Sequence, residues 1–259
     1  MMSRLILLLF LISLPLTWQA EAARAGDLHL LAGAGLRQPT DKLIDLFRNQ
    51  TGQNVFIDYA GSGHLLARIK ASGQGDLFMP GALDYIQKLE QDNMVHSYRE
   101  IVFHTPVIGV NRDRAGAIRS FEDLAGSGAR LALGDPKAMA FGRIAMEILE
   151  KSEMKEAILK NVVVYGATVK QLALYVAQGD VDAAIIGRAD AVQYKNEIQI
   201  LPIPKEYFRP EIVAIALLKN AAGRPEAVLF RDFMCSSEAV EIFKEFGFLP
   251  ITESEKVER

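Results

Sequence analysis

The chain has 259 residues, half of them apolar, and a formal net charge of −3 at neutral pH. Folded domains most often contain about 100–150 residues, so this length suits two units better than one core. The slightly acidic balance excludes a general attraction to nucleic acid, and any bound anion must be held by local groups.

The first 22 residues have the layout of a cleavable secretory signal peptide. Arg4 precedes the apolar run Leu5–Leu16, and the small residues of Ala20–Ala22 follow as a cleavage signature. The run is shorter than the roughly twenty residues that a membrane-spanning helix needs, so we expect cleavage rather than anchoring. Cys235 is the only cysteine, which excludes an N-terminal lipid anchor and an intrachain disulfide. We therefore expect an exported protein, periplasmic rather than lipid-anchored, with Cys235 as a small buried hydrophobe.

Short apolar runs alternate with helical patterns along the rest of the chain, which predicts βαβ units. Strands are predicted at 28–32, 55–59, 76–79, 130–133, 162–165, 183–186 and 212–218, with a longer extended run at Ile101–Val110. Helices are predicted from Pro39 to Gly52 and at 65–71, 82–89, 141–150, 169–177, 189–195, 225–234 and 238–246, the last capped by Ser236 or Ser237.

The middle of the chain is predicted to be a second lobe inserted into the first. We place lobe 1 at residues 23–107 and 205–259, and lobe 2 at residues 108–204. Two extended crossings would then join the lobes and act as a hinge around a ligand.

Four turns lie where a predicted strand ends and a helix begins, namely Gly33–Arg37, Gly61–His64, Gly134–Gly142 and Ala167–Val169. Such places present unpaired backbone N–H groups and the positive end of a helix dipole, which together favour anions. Each turn taken singly is also a normal βα connection, and Thr168 or Ser62 alone is a normal helix cap.

Basic residues lie near these turns: Arg37, Lys137, Arg143, Lys170 and Arg188. A solvated rim is the favoured interpretation, and the alternative is that one of them steers an anion into a cleft. The four histidines, His29, His64, His96 and His104, have no metal-ligand spacing, so direct metal coordination is not expected.

Five stretches occur in the order found in the periplasmic molybdate-binding proteins of ABC importers, and the chain resembles that family from about Asp27 to Ile251. They are Ala32–Leu36, Ala60–Leu65 with Asp76–Phe78 after it, Gly134–Pro136, Ala184–Asp190 and Ala239–Phe248. The resemblance implies an α/β, two-lobed type II periplasmic-binding-protein fold, with mostly parallel sheets flanked by helices and a ligand cleft at the hinge. It also implies a monomeric, non-enzymatic carrier without a cofactor, which captures molybdate or tungstate and delivers it to a membrane ABC permease.

The family holds its ligand with serine hydroxyls, backbone N–H groups and a tyrosine hydroxyl. By motif position, the resemblance assigns these roles to Gly35, Ser62, Phe141, Val169 and Ile186. Gly35 and Ile186 lack the expected hydroxyls, and Phe141 is bulkier than the family norm. Auxiliary donors that are close enough in sequence to compensate are Arg37, His64, Tyr165 and Arg188.

Two alternatives remain open from the sequence. The apolar bulk of Phe141 and Ile186 suits an organic anion such as a small carboxylate, which the same N–H groups would hold. An exported hydrolase is the second alternative, although no nucleophile motif is present.

Overall fold

A computed structural model describes residues 26–126, 128–137 and 139–251, with only the backbone described at Ala140. The predicted signal peptide at residues 1–22 lies outside the described residues. Within the described ranges, no helix is long and apolar enough to cross a membrane.

The described chain alternates strands and helices, as the apolar pattern predicts. The strands are β1 (Leu28–Gly33), β2 (Val55–Ala60), β3 (Leu77–Met79), β4 (Val95–His104), β5 (Pro106–Asn111), β6 (Leu131–Gly134), β7 (Val162–Gly166), β8 (Ala183–Gly187), β9 (Ile198–Leu201), β10 (Glu211–Leu218) and β11 (Leu249–Pro250). The helices are α1 (Arg37–Thr51), α2 (Ser62–Ser72), α3 (Asp84–Gln91), α4 (Ala140–Lys151), α5 (Lys155–Leu159), α6 (Val169–Ala177), α7 (Arg188–Gln193), α8 (Pro225–Met234) and α9 (Ser237–Glu245).

The strands form two sheets, one in each lobe. The first sheet has the order β11-β4-β10-β3-β1-β2, and the second has the order β7-β6-β8-β5-β9. Parallel pairs join β1 to β2 and β3, and β6 to β7 and β8, whereas β4, β5 and β10 pair antiparallel with their neighbours. The two-lobed fold is confirmed, but both sheets are mixed rather than mostly parallel. The reason is that the strands next to the crossings enter their sheets without a helical βαβ crossover.

The chain crosses between the sheets at two places. The first crossing is Thr105, which separates β4 from β5, so the predicted single run Ile101–Val110 is in fact two strands in different sheets. The second crossing is residues 202–210, between β9 and β10. The sequence pattern missed the first break because apolar residues continue across it, and β5 is buried along its whole length.

Each sheet is covered by helices on both faces. In the first lobe, Phe47, Phe230 and Phe243 pack on one face, and Leu65 and Ile86 pack on the other. The second lobe has the same arrangement, with Ile148 among the residues on one face and Leu172 on the other. Burial on both faces explains why strands such as β10 are nearly continuous apolar runs.

Cys235 packs against the first-lobe core as a small hydrophobe, but it is partly buried rather than fully buried. Burial raises the pKa of its thiol to about 11, so the reactive thiolate is scarce at neutral pH.

Candidate ligand-binding cleft

A cavity of about 480 Å³ lies between the two lobes. All four predicted turns reach it: the ends of β1 and β2 from the first lobe, and the turns before α4 and α6 from the second. Its lining comprises Gly33–Leu36, Ala60–His64, Gly81, Tyr85, Lys88, His104, Lys137, Met139, Phe141, Arg143, Ala167–Val169 and Glu211. Tertiary structure therefore brings to one place turns that lie more than a hundred residues apart in the sequence.

The first-lobe wall is built around the hydroxyl of Ser62. The Gly81 backbone N–H donates to Ser62 Oγ over 3.1 Å, so this oxygen already accepts a hydrogen bond. The hydroxyl proton is then left to donate elsewhere, and the cavity lies beside it. Gly33 permits the arrangement, because a Cβ there would lie 3.1 Å from Gly81 N and 3.5 Å from Ser62 Oγ.

The start of α2 adds backbone donors to the same wall. Leu65 N donates to Gly61 O over 3.1 Å and makes the first hydrogen bond of the helix. The N–H groups of Ser62, Gly63 and His64 precede that bond and have no acceptor within α2. These N–H groups form the positive end of the helix dipole. That end lies at the cavity, where it favours an anion.

The second-lobe wall presents the starts of α4 and α6. At α4, Gly142 N and Arg143 N bond to Met139 O, which leaves the Phe141 N–H without an acceptor in the helix. At α6, Thr168 Oγ1 accepts from Gln171 N over 3.1 Å, which confirms Thr168 as the predicted cap. The Val169 N–H precedes these bonds and is available to a ligand.

Glycines hold α4 against the end of β6. A Cβ on Gly142 would lie 2.5 Å from the carbonyl carbon and oxygen of Asp135, and a Cβ on Gly134 would lie 2.9 Å from Gly142 N. Only glycine allows this close approach, which sets the position of the α4 start in the cleft.

The structure brings some of the predicted site residues to the cavity and not others. Those that line it are Gly35, Ser62, Phe141, Val169 and His64. The described lining does not include Ile186, Arg37, Arg188 or Tyr165.

Ile186 is fully buried in the second-lobe core. Successive strand residues point to opposite faces, so the neighbouring position, Gly187, faces the other way. A Cβ on Gly187 would lie 2.5 Å from Nε2 of His104, a residue that lines the cavity. Gly187 therefore approaches the cleft wall through His104, although the described lining includes neither Gly187 nor Ile186.

Three further candidates do not line the described cavity, and one of them, Tyr165, is exposed on the surface. The Arg37 guanidinium lies 4.0 Å from the centroid of the Tyr59 ring, a cation–π contact outside the cavity. The backbone N–H of Arg188 donates to Thr105 O over 2.9 Å and so ties β8 to the first crossing.

Charged side chains also line the cavity. Lys137 and Arg143 are two of the predicted basic residues. Lys88 lines the cavity as well but was not predicted, whereas the predicted Lys170 is not part of the described lining. Arg143 Nη2 lies 3.9 Å from Asp84 Oδ2 and so links the two lobes across the cleft.

Two titratable groups complete the wall, the buried His104 and the half-buried Glu211. Burial, followed by the charge of Asp84, raises the pKa of Glu211 to about 7. Burial also lowers the pKa of His104 to about 4. Neither residue was predicted as a site residue, because each lies at a chain crossing that no turn motif marks. Among the described residues, no group of three or more His, Cys, Asp or Glu side chains is placed to hold a metal ion.

Comparison with known proteins agrees with this architecture. The family model described as bacterial extracellular solute-binding protein matches residues 28–249. A protein of Haemophilus influenzae, whose name says only that it is a binding protein, is 42% identical over 229 residues, which cover 88% of this chain and 93% of that protein. The molybdate-binding protein ModA of Rhodobacter capsulatus is 21% identical over 237 residues, with 89% and 91% of the two chains covered.

Two solved structures show the same fold at low sequence identity. The periplasmic molybdate-binding protein of Azotobacter vinelandii has a TM-score of 0.75 and 21% identity, over 87% of this chain and 100% of that chain. PEB3 of Campylobacter jejuni, solved with bound L-phospholactate, has a TM-score of 0.71 and 15% identity, over 87% and 100%. The chain therefore belongs to the bacterial extracellular solute-binding protein family and has the type II periplasmic-binding-protein fold.

Proposed function

We propose that this protein captures a tetrahedral oxyanion, molybdate or tungstate, in the periplasm and delivers it as a monomer to a membrane ABC permease. The observation that carries the proposal is Ser62, whose oxygen is occupied by Gly81 N–H while its proton is free at the cavity wall. A fully deprotonated oxyanion accepts hydrogen bonds and donates none, so it needs a site made of donors.

Backbone N–H groups supply the remaining donors. Those at Ser62, Phe141 and Val169 belong to helix starts that converge on the cavity from both lobes. Closure of the lobes would bring the two sets together around one ion and replace its hydration shell. Selectivity over sulfate would come from the size of the closed cage.

A second candidate is a small organic anion with a carboxylate or phosphate group. The cavity volume of about 480 Å³ supports it, because pockets for small organic ligands commonly hold about 300–1,000 Å³. Lys137, which lines the cavity, would pair with a second charged group of such a ligand, whereas Lys88 and Arg143 already face Asp84. The family assignment, by contrast, gives no support to the hydrolase alternative.

Calorimetric titration of the purified protein with molybdate, tungstate, sulfate and phosphate tests the first candidate. We expect tight binding of molybdate and tungstate and much weaker binding of sulfate and phosphate. No heat and no thermal shift with any of the four would contradict oxyanion capture.

Native mass spectrometry of gently purified protein separates the two candidates. A retained mass that matches a metal oxyanion supports the first, and a retained organic acid supports the second. The wild-type chain serves for both measurements, so a negative titration combined with a retained organic anion would replace the first candidate by the second.

A further inference from the structure

His104 is the last residue of β4, at the point where the chain leaves the first lobe. It is 5% exposed and lines the cavity, although none of the four predicted turns contains it. Its ring lies between Phe141 of the second lobe and Phe248 of the first, with centroid separations of 4.4 Å and 5.2 Å. Contacts from both lobes therefore hold the imidazole in the cleft wall.

Neither ring nitrogen of His104 has a hydrogen-bond partner within the described structure. Buried polar atoms are nearly always paired, so this exception requires an explanation. The Gly81 backbone faces the ring, but without a hydrogen bond of ordinary geometry. On the other side, Asp190 Oδ2 lies 4.0 Å from Nε2, which is too far for a hydrogen bond.

Asp190 is also buried without a hydrogen-bond partner for its side chain in the described structure. It is 2% exposed, and both of its carboxyl oxygens lack a partner in the described part of the chain. Gly187 leaves room for the pair, because a Cβ there would lie 2.5 Å from His104 Nε2 and 2.8 Å from Asp190 Oδ2. The two side chains come from different lobes, so a small hinge movement can bring them into contact.

We propose that His104 donates a ring N–H to the bound anion, and that Asp190 is the positioning residue that orients the imidazole. The inference rests on the proposed function, since it assigns a further donor to the same anion site. Nε2 lies 4.0 Å from Asp190 Oδ2, and we therefore assign the donation to Nδ1, which lobe movement must expose because both ring nitrogens are buried. The backbone of Gly81, which lines the cavity and bonds to Ser62, lies next to the ring. His104 and Ser62 would then contact neighbouring oxygens of one ligand.

The protonation states fit this geometry. A neutral imidazole carries one N–H and one bare nitrogen, and burial keeps His104 neutral by lowering its pKa to about 4. Burial raises the pKa of Asp190 to about 7, an effect that the positive charge of Lys170 partly opposes. A protonated Asp190 can donate to the bare Nε2, which fixes the remaining proton on Nδ1. The ligand then completes a chain of hydrogen bonds from Asp190 through His104.

A structural role and a binding role predict opposite effects on stability. A histidine that stabilises the fold through its hydrogen bonds would lower the Tm when replaced. In the ligand-free protein, the unpaired ring nitrogens of His104 lower the stability of the fold. A phenylalanine would remove these nitrogens and keep the ring packing against Phe141 and Phe248. The ligand-free Tm of His104→Phe should therefore equal or exceed that of the wild type.

The test combines molybdate titration with thermal unfolding at pH 7 for the wild type, His104→Phe, His104→Asn and Asp190→Asn. We expect His104→Phe to raise the Kd for molybdate at least tenfold, or about 1.4 kcal/mol, with no loss of ligand-free Tm. His104→Asn keeps an N–H donor, so its affinity for molybdate should fall less than that of His104→Phe. Asp190→Asn should weaken binding severalfold in the wild type and have no further effect in the His104→Phe background, because it acts through the ring.

Ring nitrogen-15 NMR provides a readout that does not depend on variant stability. Molybdate should shift the His104 ring signal, which is identified by its absence from the His104→Phe spectrum; a shift of the His64 signal alone does not count, because His64 also lines the cavity. Unchanged affinity in His104→Phe, or an unshifted His104 signal in a wild type that binds molybdate, would refute the inference alone. A wild type that binds none of the four oxyanions would refute the proposed oxyanion function together with it.

Discussion

The two walls of the cleft use their hydroxyl groups differently. In the first lobe, Ser62 Oγ accepts a bond from Gly81 N–H and keeps its proton free. In the second lobe, Thr168 Oγ1 accepts from Gln171 N within its own helix, the side chain is exposed, and the neighbouring wall is formed by the bulkier Met139 and Phe141. The first lobe therefore fixes its hydroxyl at the wall by a contact between distant segments, whereas the second holds its hydroxyl only as a local helix cap.

This difference teaches that a serine or threonine at a helix start is not by itself a ligand donor. In both Ser62 and Thr168 the oxygen accepts one backbone N–H and the proton is left over, so what matters is where the fold holds the hydroxyl. The following predictions test the contrast between the two walls, beginning with the largest expected effect.

Ser62→Ala removes the hydroxyl from the first-lobe wall. A hydrogen bond to a charged group contributes about 1.5–3 kcal/mol, so the Kd for the bound oxyanion should rise roughly ten- to hundredfold. Calorimetric titration measures the change. The matched control is Ser72→Ala, which removes an exposed hydroxyl from the other end of α2 and should leave the Kd unchanged. If Ser62→Ala binds as tightly as the wild type, the first-lobe hydroxyl takes no part in binding.

Gly35→Ser tests whether the first-lobe wall has room for a second hydroxyl. A Cβ at Gly35 would meet no heavy atom within 4 Å, so the new side chain should fit without rearrangement. We expect the Kd for molybdate to fall about tenfold, the effect of one added charged hydrogen bond. Gly35→Ala is the control, because it adds a methyl group without a donor. Equal tightening by alanine would assign the gain to filled space rather than to a hydroxyl.

Thr168→Ala should affect stability more than binding, in contrast to Ser62→Ala. Loss of the helix cap should lower the free energy of unfolding by about 1 kcal/mol, as measured by denaturant titration. The Kd should change far less than in Ser62→Ala, since Thr168 is exposed to solvent, whereas Ser62 is half-buried at the wall. Thr168→Ser keeps the capping oxygen and should preserve stability. A Kd rise as large as that of Ser62→Ala would show that both walls donate hydroxyls.

The smallest expected effect is a pH dependence of the Kd, which we attribute to Glu211. This residue begins β10, directly after the second crossing. Its carboxyl group lines the cavity, and burial together with Asp84 raises its pKa to about 7, while Arg143 opposes the shift. Below pH 7 the carboxyl is neutral and does not repel an anion, whereas above pH 7 it is charged. The Kd for molybdate should therefore rise severalfold between pH 6 and pH 8.

Glu211→Gln keeps the shape of the side chain and removes its titration. The Kd of this variant should match that of the wild type at pH 6 and rise less than that of the wild type up to pH 8. A wild-type rise that persists unchanged in the variant would assign the pH dependence to another group, and Asp190 would then be the first to test, because its pKa is also raised to about 7.

Much of the local structure follows from short sequence signals. The α1 helix ends at Gly52, whose φ of +73° is the left-handed conformation that glycine adopts readily. Thr168 caps α6 as predicted, and of the two candidates for α9 the cap is Ser236, whose Oγ accepts from Ala239 N over 3.1 Å. These features depend on bonds between residues fewer than five positions apart, which a linear pattern contains.

Short sequence signals do not specify which strands pair with each other. The run Ile101–Val110 has continuous apolar character, and only the separate partners of β4 and β5 divide it at Thr105. Ile186, which motif position assigned to the site, lies in the second-lobe core and not in the described cavity lining, for a related reason. Strand residues alternate between faces, and only the tertiary structure shows that this position faces the core.

The sequence by itself determined the βα order, the helix caps and the four glycine- or hydroxyl-bearing turns, because each depends on local backbone chemistry. Only the tertiary structure decided that Ser62 keeps a free proton, since its partner Gly81 follows a different strand. It also decided that His104 and Asp190, which are remote in sequence, face each other without a hydrogen bond. The donor properties of the cleft therefore depend on contacts between distant segments, which no local pattern specifies.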